Sequence, residues 1–399
     1  MKLYLQMGHG MMAPAEELLG KWHTGTVILS PRDLDYQQME RFSAKVIELG
    51  GEVLCDPQFY LPRADHEGLT QHTYWPNGYT TAGFTDSHLK EMLKKLWEDY
   101  CIKLNASAFI LPGCYAADID QDWLDYHDKI ISSSTEFSGK PKYATLCLSS
   151  DVMRSEEKIH TLLSHIERWA VEGFYIVPEH KGVYFIDDPL WMVNLMDLCA
   201  GLKLLSKFVI VGYSNHQYLP LSLAGADVIA SGTFVNTRKF PLSKFREDLD
   251  NTPSRRKPWY YSPQALSEFQ VSFLDMGQRA GILDLIKADP IFGSEYGDIL
   301  FTGAKPTDTA FKEGRAFRHY LQCLKMQVEQ SRRDTYKETL NGLNIQLNTA
   351  ERILTECHSK GVFGKYRDFS DIVDVNRSAI ILFDSVRGFV LSRAWNSNQ

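Results

Sequence analysis

The residue types best suited to chemistry concentrate in the run Val53-Leu54-Cys55-Asp56-Pro57-Gln58-Phe59-Tyr60. A short apolar stretch ends in a carboxylate, and an amide and a phenol follow two and four residues later. A carboxylate at the end of a buried strand can serve as general base or stabilise a cationic transition state, while the Gln58 amide can read an amide-like edge. The same Asp-Pro pair equally suits a turn in which Asp56 only caps the backbone.

Other polar side chains fall after apolar runs in the same way. They are His9; Ser30, Arg32 and Asp33; Cys114, Tyr115 and Asp118; Glu179 and His180; Tyr213 to His216; and Ser231, Thr233, Asn236, Thr237 and Arg238. His9, Glu179, His180 and His216 could in principle converge on a metal, but there is no His-Glu-x-x-His and no His-x-His, so neither a metal nor a cofactor is expected. The seven cysteines include no Cys-x-x-Cys pair, and Cys55, Cys114 and Cys147 read as small core residues before they read as nucleophiles.

Two segments suggest binding. The connection 61–86 is long and carries His66, His72, Tyr74, Trp75, Asn77, Tyr79 and Phe84, as a lid or as a surface excursion packed on its neighbours. Between Arg238 and Tyr261, Arg255, Arg256 and Lys257 adjoin Trp259, Tyr260 and Tyr261. Cations that hold phosphates beside rings that stack on bases suit a nucleic-acid backbone; a solvated basic loop is the plain alternative.

These residues need elements to position them. Apolar and β-branched runs predict strands at 3–7, 26–30, 52–56, 106–111, 143–148, 173–177, 208–212 and 227–231, separated by helical periodicity at 36–49, 87–104, 155–171 and 190–205. Eight strands with intervening crossovers make an α/β fold, a (β/α)8 TIM-like barrel, over residues 1–240. The alternative is a doubly wound sheet, but Gly8-His9-Gly10-Met11-Met12 is not a dinucleotide-binding turn. A basic and aromatic insertion follows over 241–305, with a helix expected at 264–280. A helical C-terminal appendage spans 306–399, with helices at 309–330, 333–361 and 371–395. Barrel enzymes place chemistry at the carboxyl ends of their strands, where the polar residues above fall.

The 399 residues are 44% hydrophobic and 23% charged, which excludes disordered and collagen-like classes, and no apolar run is long enough for a membrane. The sequence opens directly into strand-like alternation, so a cytoplasmic protein is expected. The net charge of −7 is unevenly spread. Residues 238–261 hold seven Lys/Arg against three Asp/Glu, and 300–399 fifteen against eleven, so an acidic body carries basic surfaces.

Several short motifs resemble the tRNA-guanine transglycosylase superfamily, including relatives that place deazaguanines in DNA. Gly51-Glu52-Val53-Leu54-Cys55-Asp56 with Gln58-Phe59 resembles the strand and turn of the first catalytic Asp, and Gly173-Phe174-Tyr175-Ile176-Val177 the sixth-strand region. Val209-Ile210-Val211-Gly212, residues 219–223 and Ala224-Gly225-Ala226-Asp227-Val228 resemble the seventh strand and the approach to the eighth. Asn236-Thr237-Arg238, Ala316-Phe317-Arg318-His319-Tyr320-Leu321 and Ser359-Lys360-Gly361-Val362-Phe363 resemble later landmarks. Two departures stand out: Ala230 occupies the position of the family's nucleophilic Asp, and 294–315 lacks the cysteines of its structural zinc.

The resemblance without that nucleophile implies hydrolysis of an N-glycosidic bond. The expectation is a DNA glycosylase that excises a modified base, leaves an abasic site and so serves phage defence. Asp56 would be the catalytic carboxylate, Gln58 and Asp118 would read base edges, and Tyr60 and Tyr115 would stack on a flipped base. His9, Glu179, Ser231 and Arg238 would complete the substrate site, and Arg255, Arg256, Lys257 and Trp259 would hold the backbone. The alternatives are exchange of guanine for a 7-deazaguanine in DNA or tRNA, with Asp118 or Asp227 as nucleophile, and a non-catalytic reader of modified nucleic acid.

Overall fold

The computed structural model describes residues 1–63, 66–76, 86–246, 257–292 and 294–395. Parallel strands wrap into a nearly closed barrel in the order β3-β2-β1-β9-β8-β7-β6-β4. They are β1 (Lys2–Gln6), β2 (Thr26–Leu29), β3 (Glu52–Cys55), β4 (Phe109–Ile110), β6 (Lys142–Leu148), β7 (Gly173–Pro178), β8 (Phe208–Val211) and β9 (Val228–Ser231), while β5 (Tyr115–Ala116) also pairs with β6. The remaining gap between β3 and β4 is bridged by the Ser107 N–H, which donates to the Val53 carbonyl at 2.8 Å. At the mouth, Tyr115 N–H donates to the Tyr60 carbonyl at 2.9 Å.

Parallel strands covered on both faces must be apolar throughout, and β2, β7 and β9 are buried at every position. Inward and outward residues still alternate. Tyr4 and Gln6 point into the barrel, so Ala230, paired with Tyr4, points inward, and Ser231, paired with Leu5, points outward. The fourth position departs from the expected single strand over 106–111. It is split into β4 and β5 because Pro112 offers no N–H to a ladder and Gly113 passes so close to β6 that a Cβ would lie 2.6 Å from the Thr145 carbonyl oxygen.

The helices follow from local signals. Tyr36–Glu48 starts at a capping box in which Asp35 and Gln38 bond each other's backbone, and it turns Met39, Phe42 and Val46 inward. Pro189–Leu204 is buried over most of its surface because the helix Val373–Ala394 lies on its outer side, fixed by Arg387 to Asp197 at 2.5 Å. The expected 87–104 helix is Asp86–Lys95 continued by a π-helix over Leu96–Lys103.

Beyond the barrel, helices run over Glu313–Ser331, Tyr336–Ser359 and Val373–Ala394. The expected helix at 264–280 is different. Trp259–Ser262 and Ser267–Gln270 form an antiparallel hairpin, β10 and β11, and helix begins only at Val271. Aromatic residues favour strands, Leu266 turns at φ +49°, and Glu268 is drawn inward by two arginines that local sequence does not reveal. No described helix is long and apolar enough to cross a membrane.

Candidate active site

Asp56 follows β3 at the carboxyl end of the barrel and is completely buried. Its Oδ1 accepts the Gln58 N–H at 2.9 Å, and its Oδ2 accepts the Tyr60 hydroxyl at 2.6 Å. The Tyr175 hydroxyl, rising from inside β7, lies 3.1 Å from the same Oδ2 and 3.0 Å from Gln6 Oε1. Turning the Gln6 amide end for end would give its unpartnered Nε2 that hydroxyl to donate to, and leave the Tyr175 proton for Asp56. The carboxylate is thus held by neutral donors. Burial pushes its pKa up from 3.8 to about 6, and the bonds from Tyr60, Gln58 and Tyr175 limit the rise.

The backbone is shaped for this arrangement. Gln58 stands at φ +53°, which folds its N–H back onto Asp56 while its side chain bonds Ser30 Oγ, the Arg32 N–H and the Tyr213 hydroxyl. Tyr213 is also left-handed, at φ +52°. Gly212 is required beside it: a Cβ there would lie 2.6 Å from the Tyr175 hydroxyl and block its path to Asp56.

A cap of aromatic rings covers these groups. Phe240 and Phe245 stack at 5.4 Å, and both meet Tyr60 edge-on, at 5.1 and 5.0 Å. Phe240 also packs against Tyr213 at 5.3 Å, and the Arg32 guanidinium lies 4.8 Å over Phe245. Outside Phe240 opens a cleft of about 560 Å³ between the loops that follow β7 and β9, with Glu179, His180, Asn236, Lys239 and Arg246 in its lining.

Of the residues singled out in the sequence, the barrel brings Asp56, Gln58 and Tyr60 together directly. Tyr115 and Glu179 form a neighbouring pair, the phenol donating to Glu179 Oε2 at 2.6 Å, and Ser150 N–H donates to the same oxygen at 3.2 Å. His9 is exposed on the loop after β1. Asp118 is exposed and paired with Lys158 at 2.7 Å, which holds its carboxyl below the usual range.

Asp227 lies at the opposite end of the barrel from Asp56. It precedes β9, bonds Lys203 Nζ at 2.8 Å and accepts the Val209 N–H, so it ties strand starts together. Ser231 is buried on the outer side of β9. Arg238 is only 2% exposed: it donates to the Gly232 carbonyl and to Glu268, and stacks 3.4 Å over Tyr320. Trp259 packs under Arg367 at 4.4 Å, and Lys257 is exposed beside it. Arg255 and Arg256 lie outside the described residues, as do Asn77, Tyr79 and Phe84 of the long connection.

The described part of that connection is pinned to the rim. His72 bonds the Pro31 carbonyl and the Tyr100 hydroxyl, Tyr74 donates to the Pro57 carbonyl at 2.6 Å, and Trp75 packs on Phe59. Burial pushes the Cys114 thiol up to about 12, which leaves it protonated at neutral pH. Among the described residues no group of three or more His, Cys, Asp or Glu side chains converges on a metal position. In the Ala316–Leu321 stretch, His319 has its ring nitrogens on Ser294 Oγ and the Tyr261 carbonyl, with Cys323 Sγ 3.7 Å away.

Sequence reasoning did not single out Tyr175, Gln6, Phe240 or Phe245. Tyr175 and Gln6 sit inside strands that read as core, and the two phenylalanines sit in a Pro-containing stretch that reads as linker. The clue available for Tyr175 was Gly212, whose missing side chain leaves room for it. Compared with protein-family models and with curated proteins, the chain matches none.

Proposed function

We propose that this protein is a DNA glycosylase that hydrolyses the N-glycosidic bond of a modified base and leaves an abasic site. The observation that carries the reading is the buried Asp56 carboxylate at the carboxyl end of the barrel, with a pKa near 6 and only neutral donors around it. A carboxylate so placed is ionised at neutral pH yet takes up a proton readily. The motifs resembling transglycosylases add support, as does Ala230: the inward position next to β1 offers no second carboxylate to trap the sugar.

The target nucleotide is flipped into the mouth, and its base displaces Phe245 to lie against Tyr60, with Phe240 remaining beside it. Gln58, its side-chain amide held by Ser30, the Arg32 N–H and Tyr213, fixes the carboxylate through its own N–H and does not reach the base. As the bond between C1′ and the base nitrogen breaks, its electron pair leaves with the base and positive charge grows on the sugar. Asp56 stabilises that charge and takes a proton from the water that attacks C1′. The proton then passes to the departing base, leaving a C1′ hydroxyl on the abasic sugar. The biological setting that suits such an activity is defence against phage with modified DNA.

The test incubates the full chain with unmodified and phage-type modified DNA, with and without added free base. Alkali-labile sites and released base in the absence of added base are expected. Incorporation of labelled base with no abasic product would replace this reading with base exchange, and binding with neither product would replace it with a reader.

A further inference from the structure

The cleft outside Phe240 contains hydrogen-bonding groups that the fold does not use. His180, on the loop after β7, is 4% exposed and lines the cleft, yet among the described residues neither of its ring nitrogens has a partner. Asn236 Oδ1, on the facing loop after β9, is buried and equally unpartnered. Buried polar groups are nearly always satisfied, so two idle ones on residues that line a common cleft point to a ligand whose entry uncovers and satisfies them. Burial, reinforced by Lys239, pushes the His180 pKa down to about 3, so at neutral pH its imidazole offers one donor and one acceptor.

The rest of the lining narrows the ligand. Val235 and Leu242 supply partly exposed apolar surface on which a planar ring can lie, and Arg246, together with Lys239, whose ammonium also donates to the Gly182 carbonyl, supplies positive charge. A volume of about 560 Å³ accommodates a nucleotide. The cleft also adjoins the mouth over Asp56, with the Phe240 ring as their common wall.

We propose that this cleft is a second nucleotide site, which holds the nucleotide adjacent to the target in the strand: its base edge meets His180 and Asn236, and its phosphate meets Lys239 and Arg246. The inference rests on the glycosylase reading for the identity of the strand, and it extends that reading from one base to a pair of neighbouring nucleotides. Sequence context is then read by hydrogen bonds to the neighbour, while the phosphate contact gives affinity without base preference.

Calorimetric titration of the full chain with thymidine monophosphate, thymidylyl-thymidine, its ribose counterpart and the three deoxydinucleotides that carry another base beside the thymidine tests the site. The dinucleotide is expected to bind about tenfold tighter than the mononucleotide, and the ribose arm distinguishes an RNA strand from a DNA strand as the source. Arg246→Gln, at an exposed position, is expected to remove most of that advantage and to flatten its salt dependence. His180→Phe is expected to keep affinity for the phosphate but equalise the four bases at the neighbouring position. Equal binding of mononucleotide and dinucleotide, or an undiminished advantage in Arg246→Gln, would overturn the proposal even if His180→Phe fails to fold. Base release is followed in parallel. Release without a dinucleotide advantage removes the second site alone, and the advantage without release removes the glycosylase reading alone.

Discussion

Two buried carboxylates, Asp56 and Glu268, lie in the same molecule and are pushed in opposite directions. Both are removed from water, which raises either pKa. Asp56 is met by a backbone N–H and phenols, all neutral, and stays near 6. Glu268 is met by Arg367 at 2.7 Å and Arg238 at 3.1 Å, with the Tyr184 hydroxyl at 2.9 Å, and falls to about 2. Glu268 is therefore a fixed anion that joins β9 and the C-terminal region through the hairpin. Asp56 can change protonation at working pH, which a structural clamp must not do.

The largest expected effect breaks the clamp. Glu268→Gln leaves two buried guanidinium groups without their anion and is expected to destabilise the fold by ~3–5 kcal/mol, read by denaturant unfolding. The same substitution style at Asp56 is expected to act the other way. The folded pKa of Asp56 is raised, so its contribution to stability is fully present below about pH 4 and is lost as pH rises through about 6. Asp56→Asn should thus be the more stable protein above pH 6, by up to roughly 3 kcal/mol, with the difference vanishing near pH 4. Base release by that variant should drop at least about a hundredfold.

Smaller effects sharpen the contrast. Gly212→Ala pushes a methyl group onto the Tyr175 hydroxyl and should cost ~1–3 kcal/mol while disturbing the Asp56 contact. Tyr175→Phe removes one donor to the carboxylate, so the acidic limb of the pH–rate profile, centred near 6 in the native protein, should move to higher pH.

Much of this was legible in the sequence where local pattern and tertiary role coincide. The barrel strands are buried on both faces and so read as apolar runs, and Asp56 stands out because it ends one of them. Its companions from other strands were less visible. Tyr175 reads as core because its ring is core and only its hydroxyl is functional. Asp227, considered as a nucleophile from the sequence, precedes β9 and so belongs to the amino-terminal end, where Lys203 and the Val209 N–H engage it. Arg238 reads as a substrate-site residue because the residue that engages it, Glu268, is 30 positions away in a hairpin that local sequence does not reveal. The aromatic cap was hidden for the same reason: nothing local ties Phe240 and Phe245 to Tyr60.

The most direct measurement is the titration of the Asp56 carboxyl carbon by NMR, assigned by difference against Asp56→Asn. The account predicts a midpoint near pH 6 for Asp56 while Glu268 remains ionised to about pH 2. An Asp56 midpoint at or below 4 would contradict it, because the carboxylate would then be another fixed anion and not a group poised to accept a proton.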